Sequence, residues 1–176
     1  MNTIVVYASK YGSTAQYARW LGEGLNAPVK DVKAVSTKEL SRYDCIVYGG
    51  GIYAGGIKGI GRIRKISGML QGKRLAIFAV GATPPSEEVL ETVRKRNLAG
   101  DLASLPLFYL HGTYDYSLMK PVDKLLCRML RRSLQKKPEA ELAEWERAMV
   151  KTEKGRGDWK DKAAVAPLVQ WVQQGV

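Results

Sequence analysis

The sequence predicts a single α/β domain over residues 1–176, built as a doubly wound, five-stranded parallel sheet with helices on both faces. Two observations predict this class. Short β-branched and apolar runs, typical of strands buried on both faces, alternate with stretches of helical period. The strands recur at roughly 25–35-residue intervals, which is the spacing of β-α-β units and therefore indicates parallel pairing.

Five segments are predicted to be strands: residues 3–8, 28–32, 43–48, 74–80 and 105–110. The third is expected to end abruptly at Gly49, where three consecutive glycines interrupt an apolar run. Ligands of such sheets bind beyond the carboxyl ends of the strands. A site is therefore expected in the loops that follow strands one, three, four and five.

Helices are predicted over residues 15–25, 59–70 and 86–97, followed by a basic amphipathic helical region over 117–150 and a closing helix over 163–174. Leu and Met recur with helical spacing between residues 118 and 134, and we expect this stripe to pack against the sheet. The polar residues 151–162, which include two glycines, are expected to form an exposed loop.

The composition excludes several classes of protein. With 45% hydrophobic residues the chain can build a core, which a disordered polyelectrolyte cannot. No apolar run approaches the ~18 residues of a membrane-spanning helix, and the N-terminus lacks the basic leader of a signal peptide. Cys45 and Cys127 stand far apart and outside any Cys/His cluster, which argues against a disulfide scaffold and a metal site. A reducing cytoplasm is the expected location.

The formal net charge of +11 comes from two local patches. Residues 58–74 contain six basic side chains and no acidic one, and residues 117–137 contain seven basic side chains and one acidic one. Such patches attract an anionic membrane surface, an acidic protein or nucleic acid, of which we expect nucleic acid least. The simpler interpretation, solvated faces of ordinary helices, stays open. The basic face of the second patch is formed by Lys120, Lys124, Arg128, Arg131 and Arg132.

The loop after the first strand carries the strongest chemical signal. It consists of Ser9, Lys10, Tyr11, Gly12, Ser13 and Thr14. It offers small hydroxyls, a glycine for a tight turn and backbone amides at the start of a helix, all of which suit a phosphate monoester. The loops typical of nucleoside triphosphate and dinucleotide sites, GxxxxGK[ST] and GxGxxG, are absent here. A polar cap on an ordinary strand-to-helix turn is the alternative.

This loop resembles the hydroxyl-x-hydroxyl-Gly-x-Thr loop with which flavodoxins hold the phosphate of FMN. Ser9, Gly12, Ser13 and Thr14 match that pattern, whereas Tyr11 replaces the usual middle hydroxyl residue and can present its ring instead. The resemblance extends to strand count, spacing and loop position over the whole chain. It implies a flavodoxin-like fold with strand order 2-1-3-4-5 and FMN as the cofactor.

Two further loops fit a flat heteroaromatic ring. The loop after the third strand supplies glycine backbone for close approach and two side chains that can cover a ring face. Its candidate residues are Gly50, Gly51, Ile52 and Tyr53. The spacing of Gly49, Gly51 and Ala54 also imitates a dinucleotide fingerprint, but no acidic residue follows at the distance of a ribose contact.

The loop after the fourth strand can offer backbone amides to the ring edge of a flavin. Its candidate residues are Gly81, Ala82 and Thr83. Tyr114 and Tyr116 lie near the same rim, and His111, the single histidine, is interpreted as structural. The sequence identifies no catalytic residue and no hydrolytic constellation.

The flavodoxin-type loop, the Tyr114-Asp115-Tyr116 rim and the basic Leu/Met-rich helix together resemble the flavodoxin-type bacterial protoporphyrinogen dehydrogenases. That resemblance implies an FMN oxidoreductase that oxidises an anionic porphyrinogen, passes electrons to a membrane quinone such as menaquinone, and lies peripherally on the inner face of the cell membrane. A basic surface is expected to stabilise anionic reduced flavin and raise its potential. Two alternatives stay open: an electron-transfer module that serves a redox partner without a substrate of its own, and a non-enzymatic module that binds an anionic surface.

Overall fold

The computed structural model describes residues 1–142, 146–147, 150 and 155–175. Its strands are β1 (Thr3–Ala8), β2 (Val29–Asp31), β3 (Cys45–Tyr53), β4 (Gly56–Ile57), β5 (Arg74–Gly81), β6 (Leu107–His111), β7 (Thr113–Asp115) and β8 (Arg156–Asp158). Its α-helices are α1 (Ser13–Leu25), α2 (Thr37–Leu40), α3 (Ile60–Ile66), α4 (Glu87–Asn97), α5 (Pro121–Leu134) and α6 (Ala166–Gln173). Short 3-10 turns cover Val32–Ala34, Ser67–Leu70, Gly100–Leu102, Glu139–Glu141 and Ala163–Val165.

The central sheet has the order β2-β1-β3-β5-β6, and every one of these pairings is parallel. Counted alone, the five parallel strands therefore have the order 2-1-3-4-5, which confirms the fold expected from the flavodoxin resemblance. Strand β4 pairs antiparallel with the end of β3, and β7 and β8 form a separate antiparallel pair.

Alternation along the central strands divides the core into two layers. In β1, Ile4 and Val6 point into a cluster that includes Ile63 of α3, whereas Val5 points into a cluster with Leu21 of α1. The second cluster also contains side chains of α6, and the first also contains Val93 of α4. Helices therefore cover both faces of the sheet, as the buried, β-branched strands require.

The strand expected to end at Gly49 instead continues to Tyr53. A Cβ on Gly49 would lie 1.9 Å from Cζ of Phe78 on β5, and a Cβ on Gly50 would lie 2.5 Å from Cγ2 of Ile57 on β4. The glycines therefore interrupt the hydrophobic pattern without ending the strand. Gly49 leaves room for the buried ring of Phe78, and Gly50 leaves room for the tight hairpin of β3 and β4.

The region after residue 117 differs most from expectation. Helix α5 does not pack its Leu/Met stripe against the sheet, because six of these side chains are exposed. They are Leu118, Val122, Leu125, Leu126, Met129 and Leu130. Within the span expected to be an exposed loop, Arg156–Asp158 pairs with β7 as a strand. Parts of the expected helical region 117–150 and of the loop 151–162, namely residues 143–145, 148–149 and 151–154, lie outside the described residues.

Candidate functional site

The loop from Ser9 to Thr14 joins the carboxyl end of β1 to the first turn of α1. Gly12 has a φ of 98°, a conformation that costs glycine little and other residues much. Its N–H donates to Oγ of Ser9 at 3.1 Å, which closes the turn. Because Gly12 is the N-cap of α1, no side chain caps the amides of the first helical turn. The loop is therefore an amide-rich turn at the positive end of a helix dipole.

The two hydroxyl residues that begin α1 have different surroundings. Oγ of Ser13 donates to Oγ1 of Thr113 on β7 at 3.0 Å, whereas Thr14 is buried. Oγ1 of Thr113 also receives a hydrogen bond from Nζ of Lys160 at 3.1 Å. The antiparallel pair of β7 and β8 thus supports one side of the loop.

Lys58 follows β4 and reaches the same loop, a residue that the sequence analysis placed only in a basic patch. Its Nζ donates to the carbonyl oxygen of Ser9 at 2.9 Å. Desolvation and the neighbouring cations Lys33 and Lys10 lower the pKa of Lys58. The lowered pKa of Lys58 reflects burial first and neighbouring positive charge second, and an anion beside Lys58 would offset the second. The sequence signal that could have found this residue is its position just after the glycine-rich hairpin.

Asp123, in the first turn of α5, binds two side chains of the loop. Nζ of Lys10 forms an ion pair with Oδ2 of Asp123, and the hydroxyl of Tyr11 donates to the same oxygen. The backbone N–H of Lys120 donates to the Tyr11 hydroxyl at 3.0 Å. The hydrogen bond from Lys10 holds the pKa of Asp123 below its usual value, and the pKa of Lys10 is raised in return. Tyr11 therefore anchors α5 through its hydroxyl.

Three side chains make a cationic, aromatic surface beside the loop. The rings of Tyr11 and Tyr53 have centroids 6.0 Å apart and are inclined by 58°. Nζ of Lys10 lies 5.4 Å from both ring centroids. Burial raises the pKa of Tyr53 to about 12, so this phenol is neutral at physiological pH and presents an uncharged ring.

The glycine-rich segment contributes to the site through its end. Gly50 and Gly51 are buried within β3, and Ile52 and Tyr53 are half-buried where the strand leaves the sheet. A tight turn follows, in which Ala54 has a φ of 48° and Gly55 a φ of 78°. Ligand contact by these residues stays a prediction. The packing of β3 is a sufficient reason for the glycines.

The loop of Gly81, Ala82 and Thr83 is held by side chains of β6. The hydroxyl of Tyr109 donates to the carbonyl oxygen of Thr83 at 2.7 Å, and Nε2 of His111 lies 3.1 Å from the carbonyl oxygen of Ala82. Burial raises the pKa of Tyr109 to about 12, so it stays protonated and remains a donor. Tyr109 is not among the residues predicted for the site from the sequence. The sequence feature that could have identified it is a tyrosine near the end of a strand, whose ring can be buried while its hydroxyl reaches a polar partner.

His111 also stacks on Trp159, with ring centroids 4.7 Å apart and planes 3° from parallel. The N–H of Trp159 donates to the carbonyl oxygen of Gly112 at 3.2 Å, and the N–H of Gly112 donates to that of Gly81 at 2.7 Å. These contacts agree with a structural histidine. They also bring Trp159, which follows β8, to the rim of the site. The sequence predicted only an exposed loop for this segment.

A family model described as "Flavodoxin domain" matches residues 4–141. The chain belongs to the flavodoxin domain family. The cofactor of this family is FMN, which confirms the cofactor expected from the loop. A comparison with curated proteins gives no significant match.

Several solved flavodoxin domains are similar to this one. A flavodoxin, WrbA-like protein from Agrobacterium tumefaciens is 24% identical, with a TM-score of 0.48, over 69% of this chain and 87% of that chain. A flavodoxin from the domain Archaea is 20% identical, with a TM-score of 0.45, over 73% of this chain and 92% of that chain. Flavodoxin 1 from Bacillus cereus is 18% identical, with a TM-score of 0.43, over 62% and 83% of the two chains.

Two further observations bear on the flavodoxin domain as the structure describes it. None of the helices in its described ranges is long and apolar enough to cross a membrane. Across those same ranges, no group of three or more His, Cys, Asp or Glu side chains is arranged to hold a metal ion.

Proposed function

We propose that this protein is an FMN-dependent redox protein that holds the phosphate of FMN in the loop from Ser9 to Thr14. The observation that carries the proposal is Gly12. Its φ of 98° turns the chain at the end of β1, and it caps a 13-residue helix without a side chain to occupy the first amides. Free amides at a helix N-terminus favour an anion such as a phosphate monoester.

The side chains around the loop fit the same anion. Ser9 supplies a hydroxyl that can donate to a phosphate oxygen, and Nζ of Lys58 lies 2.9 Å from the Ser9 carbonyl oxygen. The hydroxyl of Ser13 would do the same if it exchanged its hydrogen bond to Thr113 for one to the phosphate. Lys10 adds a second ammonium group, already paired with Asp123. The net charge of the site is therefore positive, as a phosphate dianion requires.

Ile52, Tyr53 and the backbone of Gly81, Ala82 and Thr83 would hold the ring of FMN. When bound, FMN supplies the redox chemistry by taking up electrons singly or in pairs. Lys10 and Lys58 would favour the negative charge that reduction adds, because cations stabilise a nearby developing anion. Tyr109 and His111 would hold the loop of Gly81 to Thr83 in place through their contacts with its carbonyl oxygens.

A glycine substitution tests the phosphate loop. We expect Gly12→Ala to weaken FMN binding by about tenfold or more, because a Cβ is strained at a φ of 98°. Gly61→Ala is the matched control, since Gly61 lies in helix α3 with open space around its Cβ position. Quenching of FMN fluorescence measures both affinities. Equal affinities for the two variants would count against the loop as the phosphate site.

At a finer level, we propose that the substrate is a porphyrinogen and the electron acceptor a quinone. A substrate that carries carboxylates suits the positively charged surroundings of the loop, to which Lys10 and Lys58 contribute. In each oxidative step the porphyrinogen would lose an electron pair and two protons. The quinone would take up an electron pair and two protons to become a quinol.

An anaerobic assay separates this version from the alternatives. Conversion of protoporphyrinogen that depends on both FMN and menaquinone would support it. Rapid reduction by a flavodoxin reductase without such conversion would indicate an electron-transfer module. A preparation that takes up no FMN at all would leave only a basic module that binds an anionic surface.

A further inference from the structure

Helix α5 has an inverted distribution of side chains. The residues that face the rest of the protein are mainly polar, and they include Asp123, which binds the phosphate loop, and Arg131, whose Nε donates to the carbonyl oxygen of Val150 at 3.0 Å. The outward row is apolar, and its members are 42–66% exposed. This row consists of Leu118, Val122, Leu125, Leu126, Met129 and Leu130.

Such a row is unusual on the surface of a water-soluble domain. Single exposed apolar residues are common, but a contiguous strip along three turns of helix marks an interaction surface. Asp123 and Leu134 fix the two ends of α5, through an ion pair and through burial, and so hold the strip on the outer face. Something apolar is therefore expected to cover it.

A row of basic side chains runs beside the apolar strip. Lys124, Arg128 and Arg132 follow one another at intervals of four residues, which places them along one side of the helix. Arg128 and Arg132 are exposed, whereas Lys124 lies 5.4 Å from the ring centroid of Tyr116. Of the five cations predicted to form the basic face of the second patch, Arg131 faces inward and does not belong to this row.

We propose that α5, with Leu118 before it, docks on an anionic lipid surface, its apolar row entering the headgroup region and its basic row contacting lipid phosphates. An apolar face beside a cationic one is the pattern of helices that lie in a membrane interface. A second copy of this chain fits poorly, because it would bring two strongly cationic proteins and two rows of arginine together. Nucleic acid would satisfy the cations and leave the apolar row uncovered.

Docking in this orientation would also place the phosphate loop close to the lipid surface, because Asp123 ties α5 to Lys10 and Tyr11. An acceptor dissolved in the bilayer would then be near the site. Only this last consequence rests on the proposed redox function. The docking surface itself stands on the exposure and charge of α5.

Cosedimentation with vesicles tests the apolar row. We expect the wild-type protein to bind phosphatidylcholine vesicles that contain phosphatidylglycerol, and to bind pure phosphatidylcholine vesicles at least about tenfold more weakly. Met129→Glu should weaken binding to the anionic vesicles by about tenfold or more. Met69→Glu is the matched control, since Met69 is 70% exposed in the Ser67–Leu70 turn, and it should bind as the wild type does.

A second pair of variants tests the basic row. Arg128→Glu should weaken binding to anionic vesicles by about tenfold, because it replaces an attraction to lipid phosphate with a repulsion. Arg42→Glu makes the same change at an exposed position after α2 and should bind as the wild type does. All four substituted side chains are exposed, so circular dichroism and FMN fluorescence are expected to match the wild type.

Four results would overturn the proposal: no binding of the wild type to anionic vesicles, equal binding to neutral vesicles, binding unaffected by both Met129→Glu and Arg128→Glu, or a stable dimer in solution that Met129→Glu dissociates. The last would show that a second copy covers the row. Each of these results could occur with FMN affinity intact, so failure of the docking surface is distinguishable from failure of the cofactor site.

Discussion

Helices α1 and α5 flank the same loop, yet they are held to the protein by opposite means. Helix α1 buries Tyr17, Ala18 and Leu21 completely against the sheet. Helix α5 turns its apolar side chains outward and is attached at its start by Asp123, through Lys10 and Tyr11. The comparison shows that a strongly amphipathic sequence does not decide which face is buried. Hydrophobic burial places α1 along its length, whereas α5 is placed by polar contacts of Asp123 at its start and by burial of Leu134 at its end.

The largest effect that would test this contrast is a pair of matched leucine truncations. Leu21→Ala in α1 should lower the free energy of unfolding by about 3 kcal/mol, because it leaves a cavity in a fully buried cluster. Leu125→Ala in α5 should change it by less than about 0.5 kcal/mol, because Leu125 is 52% exposed. Urea denaturation measures both. A similar loss in the two variants would mean that the apolar row of α5 is buried in the folded protein.

The polar attachment of α5 should have an intermediate effect. Asp123→Asn should lower the free energy of unfolding by about 1–2 kcal/mol at neutral pH, because it removes an ion pair and weakens the hydrogen bond from Tyr11. A double-mutant cycle with Lys10→Met isolates the coupling between the two side chains. A coupling of zero would show that this ion pair does not hold α5.

The same ion pair predicts a pH dependence. The native pKa of Asp123 is lowered, so its contribution is present above the unfolded pKa of about 4 and is lost as the pH falls through the native value. The native pKa of Lys10 is raised, so its contribution is present below about 10.4 and is lost as the pH rises through the native value. The difference in unfolding free energy between wild type and Asp123→Asn should therefore be largest between these limits. A difference that persists at strongly acidic pH would contradict this assignment.

The smallest effect concerns a surface ion pair of α1. Nζ of Lys162 lies 2.8 Å from Oε2 of Glu23, but both side chains are about three-fifths exposed, at 63% and 59%. Glu23→Gln should therefore lower the free energy of unfolding by less than about 0.5 kcal/mol. Thermal unfolding at low and high salt measures this change. A loss as large as that of Asp123→Asn would remove the distinction between the two helices.

The parallel strands and the tight turn at Gly12 could be predicted from the sequence, because both depend on local patterns, whereas the strand order was implied by the resemblance to flavodoxins. That the loop from Ser9 to Thr14 holds a phosphate stays a prediction. The β-branched run of β1 and the glycine at position 12 determine local geometry within a few residues. The extent of β3 could not be predicted in this way. The ring of Phe78 fills the space that a Cβ on residue 49 would occupy, which explains why a glycine lies within this strand. Phe78 belongs to the neighbouring strand β5, 29 positions further along the chain, and packs against Gly49 only in the folded sheet.

The contributions of Lys58, Tyr109 and Asp123 to the site also depend on contacts between distant segments. Asp123 lies 113 positions from Lys10, and Tyr109 lies 26 positions from Thr83. Helical periodicity correctly identified an amphipathic α5 but assigned its apolar face to the core. The contacts that decide which face of α5 points inward run from Asp123 to the loop. Asp123 is a single acidic residue in a basic segment, and in the sequence it was noted only for its charge.

The central claim is that the loop from Ser9 to Thr14 holds the phosphate of FMN, and calorimetric titration with FMN and with riboflavin tests it most directly. Riboflavin has the same ring system without the phosphate. We expect FMN to bind at least about a hundredfold more tightly, because charge-assisted hydrogen bonds to the phosphate are lost with riboflavin. Equal affinity for the two ligands, or no heat with FMN, would contradict the claim.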